Sequence, residues 1–223
     1  MTKRCKLSLA QTSLIRSDND NVGTIRDLVM SQPVSEFIKK INNQYSPPRE
    51  NLLLIPETRK QPFTKSLIYK KITKFLRERH LRSKTHIVFI SNVLGVCPEE
   101  FSDEENTKFE LLGGSFPDFT IIQRTGKLIA DYLIHTKGFY KNRVAYCRGS
   151  YLESVKIASK LSGIEVLQIL DDSNLYTLKR MGIKWMKLGL RMPEALSILE
   201  EKIVNLFASE NTQAKLTDYG DCD

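Results

Sequence analysis

Apolar and polar positions follow two rhythms along this chain. Short all-apolar runs bounded by turn formers alternate with longer stretches in which apolar residues recur every three or four positions, the pattern of a parallel sheet covered by helices. Residues 52–55, Leu-Leu-Leu-Ile, read as a strand buried on both sides and ended by Pro56. Ser66 then caps a helix running to about residue 79, with Ile68, Ile72, Phe75 and Leu76 turned inward. Residues 86–90 read as a second central strand, followed by Ser91-Asn92 and a turn over 94–98, and residues 109–112 as a third strand followed by Gly113-Gly114. A long helix is expected over 117–135, with Gly126 inside it, then a strand over 143–147, a helix over 151–161 ending at Gly163, and a strand over 164–170. Two helices, 173–187 and 193–208, close the pattern, the second opened by Pro193. Upstream, residues 33–45 have a helical repeat stopped by Ser46-Pro47-Pro48. The polar run around Ser17-Asp18-Asn19-Asp20-Asn21 makes residues 1–33 an expected mobile arm, 34–208 the α/β domain and 209–223 an expected disordered tail. The expected architecture is three-layer α/β/α with a mostly parallel central sheet.

Composition agrees with a single domain of 223 residues, 41% hydrophobic and 27% charged. No apolar run reaches the roughly 18 to 20 residues needed to span a bilayer, and residues 1–10 lack a signal-peptide core, so a cytoplasmic protein without membrane contact is expected. Cys5, Cys97, Cys147 and Cys222 show no C-x-x-C spacing, and His80, His86 and His135 share no metal spacing, so reduced thiols, no metal and no cofactor are expected. Charge changes the picture more. The net charge is +8, yet residues 59–84 alone hold ten Lys or Arg against the single acid Glu78. The remainder, 24 basic and 25 acidic residues, is nearly neutral. The excess is therefore a patch, and a patch on one helix points to an anionic partner such as RNA, although a Lys-rich helix face is also what plain solvation produces. A second basic stretch, Lys179, Arg180, Lys184, Lys187 and Arg191 around Trp185, could extend it.

Ligands of parallel α/β sheets bind outside the carboxyl ends of the strands. Four such loops hold suitable groups: residues 56–66, with hydroxyls, a carboxylate, cations and a helix N-terminus; Ser91-Asn92 leading into Leu94-Gly95-Val96-Cys97-Pro98-Glu99-Glu100; Gly113-Gly114-Ser115; and Arg148-Gly149-Ser150. Each can equally be turn geometry, capping or a charged first helical turn.

Residues 52–69 and 87–100 resemble the core domain of archaeosine synthase, an archaeal relative of tRNA-guanine transglycosylase. That family carries a strand followed by Pro-Cys-Ser, two variable residues, Lys-Pro-Tyr, then spaced serines and a histidine, and a second strand followed by Leu-Gly-Val-x-Pro-x-Glu. Here the first motif stands as Pro56-Glu57-Thr58, Arg59-Lys60, Gln61-Pro62-Phe63-Thr64, with Ser66 and Tyr69; the second stands as Ser91-Asn92 and residues 94–100, and Phe109-Glu110 with Gly113 or Gly114 matches later positions. Glu57, Gln61 and Tyr69 occupy the positions of the family's Cys, Lys and His.

The resemblance implies a uracil-DNA-glycosylase-like fold and transferase chemistry, amine addition to the nitrile of a 7-cyano-7-deazaguanine base in tRNA. It implies tRNA as partner, together with a separate PUA-containing or transglycosylase-like subunit. Thr58, Ser66, Asn92 and Glu99 are the expected catalytic positions. Pro56, Glu57, Pro62, Phe63, Ser91, Gly95, Gly113 and Gly114 are expected to line the substrate site, and Arg59, Lys60, Lys65, Lys70, Lys71, Lys74 and Arg77 to hold RNA phosphates. The three replacements favour the alternative, a non-catalytic RNA-binding or scaffold subunit of a tRNA-modification complex.

Overall fold

The computed structural model describes residues 22–59, 61–111, 117–171, 173–174, 176 and 189–208. Its centre is a five-stranded sheet in the order β4-β3-β2-β6-β7, built from β2 (Asn51–Pro56), β3 (Thr85–Ser91), β4 (Gly95–Pro98), β6 (Asn142–Ala145) and β7 (Leu167–Gln168). Strands β3, β2, β6 and β7 run parallel, and β4 folds back antiparallel on β3 with Ser91 opposite Gly95. Leu52, Leu53, Leu54 and Ile55 are fully buried because β2 lies between β3 and β6 with helices over both faces, as its unbroken apolar run requires.

Between β2 and β3 lies helix α3 (Leu67–Glu78); helices α4 (Phe119–His135) and α5 (Ser150–Ser162) precede and follow β6. The chain steps from β2 to β3 in one direction and then returns past β2 to β6, so right-handed crossovers put α3 on one face and α4 and α5 on the other. Helix α6 (Pro193–Ala208) joins α3 through the ion pair Arg79–Glu200 at 2.6 Å. Helix α2 (Gln32–Gln44) packs against α4. This is a three-layer α/β/α arrangement. Gly126 belongs where two helices touch: a Cβ there would stand 2.7 Å from Ile157 of α5.

Several expectations change. Residues 22–33, expected in a mobile arm, form β1 (Val22–Gly23), α1 (Ile25–Val29) and the start of α2, because Thr24 and Asp27 make a reciprocal capping box and Ile25 and Leu28 are buried. The expected turn over 94–98 is strand β4. The third strand lies outside the main sheet: among the described residues β5 (Glu110–Leu111) pairs with β1. The long strand over 164–170 shortens to β7. Residues 1–21, 209–223 and Trp185 with Lys179, Arg180, Lys184 and Lys187 lie outside the described residues, as does most of the expected helix over 173–187.

Candidate functional site

Because the sheet order reverses around β2, the loops after β2 and β6 leave toward opposite faces, the position at which parallel sheets bind ligands. Glu57 stands there, its backbone N–H still donating to Ile90 O at 2.8 Å, one residue past the end of β2. Its Oε1 accepts the backbone N–H of Asn92 at 2.9 Å, from the turn after β3. The same oxygen accepts the hydroxyl of Tyr151, in the first turn of α5, at 3.2 Å. Three segments far apart in sequence thus meet at one carboxyl group.

Two acceptors in this cluster are unsatisfied. Glu57 Oε2 and Asn92 Oδ1 are buried and have no hydrogen-bond partner among the described residues. Each such group costs about 1–3 kcal/mol relative to a hydrated one. Burial raises the Glu57 pKa above the ordinary carboxylate value, against the smaller opposing pull of Ser91, the Asn92 N–H and Tyr151. Burial and the neighbouring Glu57 likewise push the Tyr151 phenol up. The site is therefore a carboxyl with a pKa raised by burial next to a carboxamide, at the strand ends.

Thiol chemistry is shut off close by. Cys97 is fully buried, and desolvation with the nearby Glu57 pushes its pKa up; burial pushes Cys147 up to about 12.

The family described as "Domain of unknown function (DUF5591)" matches residues 34–181. The chain belongs to this family. No curated protein matches it. The crystal structure of AF0587, a protein of unknown function, is similar with a TM-score of 0.49 and 18% identity, covering 75% of this chain and 49% of that one. The chain spans about half the length of that protein. No helix among the described residues is long and apolar enough to cross a membrane.

Within this DUF5591 domain the remaining expected site residues divide. Thr58 is half-buried and follows Glu57 directly. Ser66 is buried and accepts the N–H of Tyr69 at 3.4 Å, which caps α3. Ser91 Oγ accepts the N–H groups of Val93 and Leu94 and closes the β3–β4 turn. Gly95 has φ +77°, and a Cβ on it would lie 2.5 Å from Leu128 Cβ, so it fixes the hairpin against α4. Phe63 is core, packed on Phe89 and Phe109; Pro62 precedes it with Pro56 at the head of the same loop. Gly113 and Gly114 lie outside the described residues.

Glu99 does not join Asn92. It sits past the end of β4, opposite the early part of β3, where Oε1 accepts Arg49 at 2.7 Å and Oε2 accepts Arg82 and Tyr69 at 2.6 Å each. Burial and the Glu99 carboxylate push the Tyr69 phenol up to about 12. Glu99, expected as a catalytic position, is thus a clamp binding the sheet edge to α3 and to the approach of β2. Sequence reasoning missed Tyr151: a tyrosine in the first turn of a helix gives no signal until the topology brings that turn to the strand ends.

The basic stretch is partly used by the fold. Arg79 pairs with Glu200, Arg82 with Glu99, and Lys71 donates to Arg191 O at 3.1 Å. Arg59, Lys65, Lys70, Lys74 and Arg77 are exposed; Lys74 meets Glu78 at 3.8 Å, a weak exposed pair, and Arg77 turns back onto Thr73 O of its own helix. Lys60 lies outside the described residues.

Proposed function

We propose that this protein works in tRNA modification of the archaeosine-synthase type, as a subunit that holds RNA on the exposed basic residues of the 59–77 stretch and receives a 7-cyano-7-deazaguanine base at the strand ends. One observation carries this reading: the two loops that resemble that family's motifs meet at Glu57 and Asn92, where buried polar oxygens await donors. The five exposed cations from Arg59 to Arg77 lie on the loop and helix leading away from that point. A phosphate-binding surface beside a base-sized polar site is what recognition of a nucleotide pulled from its stack requires.

Amine addition to the nitrile is the second reading, and the upward pKa shift of the buried Glu57 carboxyl favours it. In that step the amine nitrogen bonds to the nitrile carbon, one carbon–nitrogen π bond breaks, and the proton leaving the amine ends on the nitrile nitrogen. An acid beside the nitrile would relay that proton. Against it, Ser66 and Glu99 are committed to capping and ion pairing, and the nearby described thiols are buried.

The test is retention of tRNA carrying the cyano base against the same tRNA carrying guanine, followed by mass analysis of the base after incubation with lysine. Preferential retention with no mass change supports the holding reading, and a mass gain supports the enzyme. Absence of retention for either tRNA sinks both.

A further inference from the structure

We propose that Glu57 Oε2 and Asn92 Oδ1 form a paired acceptor for the adjacent N–H donors of a guanine-type base edge, the ring lactam N–H and the exocyclic amine. This rests on the reading of the strand ends as a base site and names what they recognise.

The two oxygens belong to one small cluster, since the Asn92 backbone N–H already donates to the other oxygen of Glu57 at 2.9 Å. That contact and the Tyr151 hydroxyl at 3.2 Å occupy Oε1 and hold the carboxyl in place, leaving Oε2 as the outstanding acceptor. Asn92 is only 4% exposed, so its orphaned carbonyl is a buried polar group with its hydrogen-bonding capacity unused. Two such acceptors in one cluster are tolerated in a fold when a ligand supplies the donors.

The charge around them selects neutral donors over an ammonium group. Arg124, half-buried, donates to Val93 O at 3.0 Å, one residue from Asn92, so a second cation there would meet repulsion. Oε2 accepts only while Glu57 is ionised, a form that burial disfavours and that N–H donors from the base edge restore. A planar lactam–amine edge offers two uncharged N–H groups side by side, which suits one carboxyl oxygen and one amide oxygen. A site built to bond a donor rejects the analogue that lacks it, because the site's own buried acceptors are then left bare.

The experiment is calorimetric titration of the full chain with guanosine, with inosine, which lacks only the exocyclic amine, and with lysine as an ammonium probe. Wild-type protein is expected to bind guanosine on the order of tenfold more tightly than inosine, and lysine not measurably. Of Glu57→Gln and Asn92→Ser, the one that removes the acceptor of the exocyclic amine is expected to bring guanosine and inosine to parity, and the other to weaken both alike. Lys40→Gln, a change at the exposed Lys40–Glu104 pair on α2, is expected to keep the preference. Melting curves of every variant separate loss of recognition from loss of folding. Equal affinity of the wild type for both nucleosides, binding of neither, tight lysine binding, or unchanged selectivity in both Glu57→Gln and Asn92→Ser overturns the inference. Its failure is distinct from failure of the functional reading: selectivity for guanosine without tRNA retention leaves the edge site standing, while tRNA retention without nucleoside selectivity does the reverse.

Discussion

A buried carboxyl with one oxygen unpartnered destabilises a fold, and at Glu57 the effect carries a pH signature. Its folded-state pKa is raised, so above the ordinary value of 4.5 the unfolded chain loses this proton while the folded chain keeps it. Stability then falls as pH rises from about 4.5 toward the raised folded pKa. Glu57→Gln removes the titration, so the variant is expected to melt higher than wild type at neutral pH and to lose that part of the slope. Thermal melts at half-unit steps of pH show it; a variant that tracks wild type across the series would mean the carboxyl is not buried as described. Glu100 gives the opposite sign. Hydrogen bonds from the fully buried His86 at 3.2 Å and from Tyr45 outweigh its burial and bring its pKa down from 4.5 to about 2. Its contribution is complete above about 4.5 and disappears as pH falls to about 2. Glu100→Gln is expected to flatten the acid limb of the melting curve in that window, with the same readout.

At the scale of elements, the β3–β4 hairpin is held by one glycine. Gly95 combines a left-handed φ of +77° with a Cβ position only 2.5 Å from Leu128 Cβ, so Gly95→Ala adds backbone strain to a clash. The expected loss is about 2–4 kcal/mol. Denaturant unfolding measures it, and Leu128→Ala in the same background is not expected to recover it, because alanine keeps the clashing Cβ. This glycine shows how legible the elements were. Residues 52–55 announced a central strand because a strand covered on both faces must be apolar throughout, and Ser66 announced the start of α3 because its side chain caps the first turn. Residues 94–98 read as a turn because Gly95 and Pro98 are punctuation residues, and nothing local says that the segment between them pairs back on β3. Residues 109–112 had the apolar character of a strand, but the partner of β5 is β1, in a segment whose polarity suggested no structure. The candidate site followed the same division. Glu57 and Asn92 were visible as strand-end residues, whereas Tyr151 and the separation of Glu99 from Asn92 depend on strand order and on β4 running backwards.

For the whole molecule, the +8 net charge overstates the positive surface open to the RNA proposed above. Arg79 and Arg82 are paired with Glu200 and Glu99, and Lys71 is spent on a backbone carbonyl, so these three hold the C-terminal helix and the sheet edge in place. Of the other described cations in the basic stretch, Lys84 is half-buried, and Arg59, Lys65, Lys70, Lys74 and Arg77 are the exposed ones that the proposed RNA contact would use. Each phosphate contact adds about 0.7–0.9 to the slope of log affinity against log salt. Replacing Lys65, Lys70 and Lys74 together by Gln is therefore expected to lower tRNA affinity and to reduce that slope by roughly 2 to 3. The paired cations behave differently. Arg79→Gln should leave the slope nearly unchanged and instead lower the melting temperature, because it unties α6 from α3 and leaves Glu200 without its ion pair. Filter binding across a salt series, with melts in parallel, separates the two groups. A slope that responds equally to Arg79→Gln and to each lysine replacement would mean that the charge acts as a diffuse cloud and that the exposed face of α3 is not the RNA surface.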